Sequence, residues 1–469
     1  MNCRLVDAGT DVRRSVIELK TWLRQRNRWL VIFDNVEIVA DLAPWIPQGP
    51  GHIIITTKNF KWQEMAMPIE VEVFTRAESI SLLRGGISNL NENQASELAD
   101  ALGDLPLALA QAVGLLTETR LPVEDYLRLL STSAAQIMNE GLPPSYPVPL
   151  GAAVRLSSDR LRQRNESALQ LLQLCAFMGS EPIPLTWFSA SEAVLLNPLA
   201  TTVRDVVRLH QAAGLLLGFG LAKMLPDGLL VHPLVQSVLR DQMVAEEQEL
   251  FRGQVDRVLA TANPREPENS VTWPAWAQLL PHLISTGPGA SSNPGVRDAA
   301  CEAVWYLLSR GDAKAAREFS ISLVRQWRSW LGPDDEHTTW ATHNLARAWR
   351  DLGEYEEARR LHAILFAKDK QIRGEDDPAT LSSASSLAID LRRLGKLADA
   401  RMLDEDTLAR RRRVHGDDHP ATSASATNLA ADLRELGAPG DARMLDEDTL
   451  ARRRRVHGDD HPATLGSAN

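Results

Sequence analysis

The sequence predicts a mainly α-helical chain, an α-solenoid preceded by a partial α/β domain and a small helix-and-hairpin domain. Three observations predict it. Gly332, Gly374, Gly416 and Gly458 fall 42 residues apart, and Asp399–Thr422 recurs letter for letter as Asp441–Thr464. Two short apolar runs, Trp29-Leu-Val-Ile-Phe33 and His52-Ile-Ile-Ile55, read as buried strands that end in polar residues. Gly220–Leu225, the turn Pro226-Asp227-Gly228 and Leu229–His232 read as a hairpin, with a helix from Pro233 to Met243. A period of 20–50 residues marks supersecondary units that bury their apolar faces only by stacking.

In register, Gly332–Arg373, Gly374–His415 and Gly416–His457 share one plan: an acidic turn, a first helix, a Leu-Gly break and a second helix. Leu345, Ala346 and Trp349 share one helical face, and Ala358, Leu361 and Leu365 begin the next. Glycine ends the first helix because it accepts the left-handed cap, and the small Ala358 lets two helices approach. An eroded copy precedes these at about 290–331, with Gly311 and Ala316 each 42 residues ahead of Gly353 and Ala358. The segment Leu352-Gly353-Glu354-Tyr355-Glu356-Glu357-Ala358 resembles a tetratricopeptide repeat, in the long variety found in kinesin light chains and many bacterial signalling proteins. Such solenoids present a groove to protein or peptide ligands. His343, Asn344 and Arg347, with Asn428 84 residues after Asn344, are the first-helix positions expected to face it.

Two motifs in the repeats invite a chemical reading. His415 and His419, copied at His457 and His461, have metal-ligand spacing, but they sit in a turn that recurs with the period. An inter-repeat turn whose carboxylates cap the next helix is the expectation. Arg410–Arg413 spread around a helix axis one turn after Asp404, Glu405 and Asp406, which predicts a solvated, ion-paired helix end.

In the front half the first apolar run ends on Asp34, followed by Asn35, and the second ends in Thr56-Thr57-Lys58. A carboxylate at the C-terminal edge of a parallel strand stands where ligands bind in open α/β sheets. Leu102-Gly-Asp-Leu-Pro106-Leu-Ala-Leu109 follows in a helical region. Strand–DN, strand–TTK and LGDLPLAL in this order resemble the NB-ARC class of signal-transduction (STAND) ATPases. That class includes plant disease-resistance proteins, apoptosome adaptors and many actinobacterial regulators with tetratricopeptide repeats. The resemblance implies a P-loop-type nucleotide-binding domain holding ADP or ATP with magnesium. It places Asp34 on the magnesium, Lys58 at the sensor position that usually carries arginine, and Pro106 near the adenine. The hairpin with its flanking helices then reads as the family's winged helix, and Val231-His232-Pro233 as its switch motif, whose histidine touches the ADP β-phosphate at rest.

The implied organisation is a partial nucleotide-binding and helical domain over 1–150, a winged-helix-like domain over 151–250, a linker or helical region over 251–290 and the repeats over 291–469. Ser285–Asn293 is turn-rich and reads as a linker or exposed loop.

The chain departs from the class it resembles in one large respect. No G-x-x-x-x-G-K-[ST] occurs, and the only Gly-Lys pair, Gly395-Lys396, lies inside a repeat. That loop supplies the backbone cradle, the lysine and the magnesium-binding hydroxyl. Nucleotide is therefore expected to bind weakly and ATP hydrolysis not to exceed background. The core sheet begins in the middle and the fifth repeat stops in its first helix, so both ends look cut, with fraying or self-association expected beyond about His457. Composition limits the partners further. A net charge of −10 opposes nucleic acid, and the absence of an apolar run of ~18 residues opposes a membrane span. Cys3, Cys175 and Cys301 form no paired pattern, and no signal peptide opens the chain, which points to the cytoplasm. The combined expectation is an ADP/ATP-binding signalling regulator whose repeats bind a protein partner; the alternative is a non-catalytic interaction scaffold.

Overall fold

The computed structural model describes residues 12–34, 36, 42–57, 66–69, 71–132, 134–140 and 149–458. They fall into two compact units, Met1–Ala262 with Pro281–Thr286, and Asn263–Leu280 with Gly287–Asn469. The fold is mainly α-helical, with a small α/β portion at the front of the first unit.

The first unit opens with an amphipathic helix, α1 (Val12–Arg24), and two strands, β1 (Leu30–Phe33) and β2 (His52–Ile55). The strands pair in parallel, Leu30 opposite His52 and Phe33 opposite Ile55. They are less buried than their apolar sequence predicts: Leu30, Ile32 and Ile54 are each half exposed or more. A two-stranded sheet alternates its side chains between two faces, and one face is open among the described residues.

Four helices follow: α2 (Arg76–Gly86), α3 (Glu92–Ala101), α4 (Pro106–Thr119) and α5 (Val123–Thr132). Local chemistry sets their starts. Thr75 and Glu78 form a capping box on α2, and Asn91 and Gln94 form another on α3. Pro106 opens α4, where a missing N–H costs nothing. Leu83, Leu98, Leu102, Leu109 and Tyr126 are fully buried among them.

Helices α6 (Leu150–Arg164), α7 (Glu166–Cys175) and α8 (Val206–Gly218) lead to the antiparallel hairpin of β3 (Lys223–Leu225) and β4 (Gly228–Leu230), then α9 (Pro233–Gln242) and α10 (Ala245–Thr261). The hairpin is pinned where Ile183 and Leu229 exchange backbone hydrogen bonds at 2.9 Å. Gly228, at φ +147°, is required there, because a Cβ would stand 2.3 Å from the Ile183 carbonyl oxygen. Helix α11 (Trp273–Thr286) carries Pro281 within it and contributes Pro281–Thr286 to this unit. His282 is buried there, its Nδ1 accepting from the Gly179 N–H at 3.0 Å, and burial pushes it down to about 4.

The second unit is a solenoid of four helix pairs among the described residues: α12 (Pro294–Ser309) with α13 (Ala313–Trp330), α14 (Glu336–Asp351) with α15 (Tyr355–Arg373), α16 (Pro378–Arg393) with α17 (Leu397–His415), and α18 (Pro420–Glu435) with α19 (Pro439–His457). The eroded first copy is thus a complete helix pair. The start of α11 packs at its head, where the Trp276 ring stacks on Tyr306 with centroids 5.7 Å apart. Ser285–Asn293, read as a linker or exposed loop, is packed at its middle: Pro288 and Gly289 are buried and the Trp330 indole donates to the Gly289 carbonyl at 2.8 Å, while Ser285, Ala290 and Ser292 are exposed.

The last three repeats are tied to one another by buried ion pairs in constant register. Arg350 reaches Asp390 at 3.3 Å, and Arg392, 42 residues on, reaches Asp432 at 2.8 Å. Both aspartates are fully buried. The second helices supply the neighbouring group, and here the copies differ. His362 bonds Asp390, whereas Asp404, 42 residues later, lies beside Asp432. Burial, then the Asp432 charge, pushes Asp404 well above the ordinary carboxylate range.

Candidate functional site

The residues that carry the motifs in the first unit form two groups. At the ends of the paired strands the Thr56 hydroxyl donates to Asp34 Oδ1 at 2.5 Å, and the Thr56 N–H donates to the Phe33 carbonyl at 2.9 Å. The parallel register places the two strand ends together, leaving Asp34 exposed with a hydroxyl beside it. Lys58 and Asn35 lie outside the described residues.

The second group joins the LGDLPLAL turn to the start of α9. Gly103 and Asp104 both take positive φ, +60° and +56°, and the chain then enters α4 at Pro106. Asp104 is held by Arg76, at 2.9 Å from its Oδ2 and 3.1 Å from its Oδ1. Burial pushes this carboxyl up, but the Arg76 guanidinium outweighs it and holds Asp104 below its ordinary value.

His232 caps α9, its Nδ1 accepting from the Leu234 N–H at 3.2 Å. Its Nε2 lies 3.1 Å from the Gly103 carbonyl oxygen. A nitrogen facing an N–H must accept and one facing a carbonyl must donate, so the ring is the neutral Nε2–H tautomer. Burial lowers its pKa, against the opposing pulls of the Gly103 carbonyl and Asp104. His232, read as a phosphate contact, therefore has both nitrogens engaged within the protein. Sequence reasoning singled out the histidine and the turn separately but had no signal that they meet.

Of the described residues, Asp34 offers an exposed carboxylate for a cation, while the one N–H of His232 is donated to Gly103 and is not available to a phosphate in this arrangement. No step through ADP, ATP or magnesium follows from these residues.

In the solenoid the four residues assigned to a groove divide. Asn344, expected at the surface, is fully buried, its Nδ2 donating to the Cys301 carbonyl at 2.9 Å where adjacent first helices cross. A residue at that crossing is covered by its neighbour and cannot meet a ligand. The His343 ring faces His362 edge-on at 5.0 Å, and burial, then the neighbouring His362, pushes it down to about 3. Asn428 is half-buried, its carbonyl accepting from Arg392 at 3.0 Å. Arg347 lies over the Trp305 ring, 4.1 Å from the centroid. That contact joins positions 42 residues apart, so Trp305, Arg347 and their successor Ile389 form one row along the first helices.

The two over-readable motifs resolve as structural features. The His415 and His419 rings stack at 4.5 Å, and His419 itself caps α18 by accepting from the Ala421 N–H. An imidazole thus replaces the expected carboxylate, while Asp335 and Asp377 cap α14 and α16. No cluster of three metal-ligating side chains occurs among the described residues. His461 lies outside them. In the arginine run, Arg410 and Arg413 pair with Asp376 and Arg412 with Asp417. Arg411 departs from the solvated expectation: it is buried, donating to Ser425 Oγ at 2.8 Å and to the Leu381 carbonyl at 3.1 Å. No helix among the described residues is long and apolar enough to cross a membrane.

Comparison with known proteins supports the repeats directly. Tetratricopeptide repeat family models match residues 338–378 and 377–454. A curated relative, a nucleotide-binding leucine-rich repeat (NLR)-like protein of Hyaloscypha variabilis, is 26% identical over 141 residues, covering 24% of this chain. The chain spans 14% of that relative's length. Among solved structures, a Podosopora anserina protein with nearly identical TPR-like repeats is 21% identical, with a TM-score of 0.38 over 44% of this chain and 96% of that one. A STAND protein with a tetratricopeptide repeat sensor from Pyrococcus horikoshii is 13% identical, with a TM-score of 0.31 over 98% of this chain and 79% of that one. The tetratricopeptide repeats of this chain are therefore established by family match and by their helix pairs, and repeats of this kind serve protein interaction.

Proposed function

We propose that this chain is a signalling regulator of NB-ARC type in which the solenoid engages a protein or peptide partner and the first unit responds to ADP or ATP only weakly. The observation that carries the partner-binding part is the Arg347 guanidinium lying over the Trp305 ring on adjacent first helices, with Ile389 at the same repeat position 42 residues on. Aromatic and arginine side chains are the residue types that anchor protein interfaces. The regulatory part is supported by the order of the Asp34, LGDLPLAL and His232 motifs and by the likeness to an NLR-like protein. Proposed sites on this reading are Asp34 for magnesium, Lys58, Pro106 and His232 for nucleotide, and Arg347 with His343 and Asn428 for the partner. A cytoplasmic location belongs to the same proposal.

The alternative, an interaction scaffold without a nucleotide cycle, is favoured by one observation: the His232 N–H is committed to Gly103. Photo-crosslinking in cells tests the partner-binding part common to both. A crosslinker at Arg347 or Ile389 is expected to give one discrete adduct, and one at Arg359 or Arg401 on the second helices is expected to give none. Equal adducts at all four positions would remove the first-helix row as the binding face.

A further inference from the structure

The contact between His232 and Gly103 has the properties of a built latch. The imidazole N–H meets a carbonyl 129 residues away in the chain, at 3.1 Å. Residue 103 must be glycine for the ring to sit there, since a Cβ would stand 2.1 Å from Nε2 and 2.3 Å from Cε1, in a backbone conformation that side-chain-bearing residues avoid. The turn is braced from its other side, where Arg76 holds the Asp104 carboxylate and the Phe74 N–H donates to the Asp104 carbonyl at 3.0 Å. A second, separate tie joins the same two regions: Lys223 in β3 pairs with Glu72, just before α2, at 3.3 Å. Two contacts of different chemistry thus hold this part of the chain, His232 to the LGDLPLAL turn and Lys223 of the hairpin to the segment before α2.

We propose that His232 is a positioning residue whose neutral Nε2–H latches the hairpin–α9 segment to the Gly103 carbonyl, so that this latch and an anionic ligand compete for one donor. The competition follows from the inventory of the ring. Nδ1 is an acceptor for the Leu234 N–H and cannot serve an anion, and Nε2 has a single proton. A phosphate-bearing ligand that takes that proton in a hydrogen bond must first release Gly103, which would loosen the two regions. The competition clause rests on the nucleotide reading given above; the latch itself does not.

Limited trypsin digestion of the whole chain at pH 7.5, read as the rate of cleavage after Lys223, tests both parts. When opening is fast, cleavage follows the population of the open form, and a net hydrogen bond of ~1–1.5 kcal/mol corresponds to roughly a five- to tenfold change. His232→Ala and Gly103→Ala should each raise the rate about that much, and the double variant no further than the faster single. A rate unchanged in His232→Ala, or effects that multiply in the double variant, would overturn the latch. A second readout does not depend on the variants folding well. In the natural chain the His232 imidazole should show the neutral Nε2–H tautomer by nitrogen chemical shift, and the Nδ1–H tautomer would overturn the proposal.

ADP with magnesium at millimolar concentration gives the remaining arm. Faster cleavage on addition supports competition, and slower cleavage that depends on His232 overturns it. No effect of ADP, with the variants behaving as stated, upholds the latch and counts against the nucleotide reading alone.

Discussion

The first unit and the solenoid secure their buried polar groups by opposite means. The first unit uses contacts that occur once: Gly228 against Ile183, His282 under the Gly179 N–H, His232 on Gly103. The solenoid uses one register over again, Arg350 to Asp390 and then Arg392 to Asp432. A unique contact has no neighbour to share its loss, whereas a repeated one is flanked by copies. The repeats are also free to vary the third member of the set, as His362 and Asp404 show at equivalent positions. Single substitutions should therefore cost most in the first unit, and the two units should respond to pH with opposite sign.

The largest effect is expected at Gly228→Ala. Backbone strain at φ +147° and collision with the Ile183 backbone together cost about 4 kcal/mol, from ~1–3 kcal/mol for each. Thermal unfolding followed by tryptophan fluorescence should show an early transition for the first unit, with that of the solenoid unmoved. A uniform shift of both would show that the two units do not unfold separately.

Arg392→Gln comes next. It leaves the buried Asp432 beside Asp404 without its cation, and removing one member of a buried pair costs about 3 kcal/mol. Chemical denaturation of the solenoid would detect it, and a change below ~1 kcal/mol would show that the pair is solvated enough to be dispensable.

Opposite pH responses follow from the directions of two shifts. Asp404 has a raised pKa in the folded chain, so its contribution is full below the ordinary aspartate value of 3.8 and is lost as pH rises. Asp404→Asn keeps a donor for Asp432 without a titrating proton. It should stabilise the solenoid by about 2 kcal/mol at pH 8 and by almost nothing at pH 4. A gain independent of pH would show that Asp404 is not protonated in the fold. His282, pushed down to about 4, behaves the other way: its contribution is present above the ordinary histidine value of 6.5 and is lost as pH falls toward 4. Between those values the first unit should weaken on acidification, and His282→Gln should flatten that slope.

The two regions also differed in what their sequence disclosed. The solenoid was legible because its information is periodic: the helix pairs, the Gly caps and the eroded first pair all follow from the spacing of 42. Arg411 and Asn344 escaped because a surface-like residue type occupied a position that only the stacking of neighbours buries. In the first unit the motifs were legible one at a time, as strand ends, the LGDLPLAL run and a hairpin followed by a Pro-started helix. The meeting of His232 with Gly103 was not, since it depends on a contact across 129 residues that no local pattern encodes. The strands were read as buried because an apolar run signals burial, and it does not say how many strands flank it.

The most direct test of the account is calorimetric titration of the whole chain with ADP and magnesium. The missing phosphate loop and a histidine whose only N–H serves Gly103 predict a dissociation constant of ~100 μM or weaker, since each charged phosphate hydrogen bond forgone costs roughly 1.5–3 kcal/mol. Sub-micromolar binding that is lost in Asp34→Ala would contradict it, and would show that Asp34 holds nucleotide firmly without a phosphate loop and without the His232 N–H.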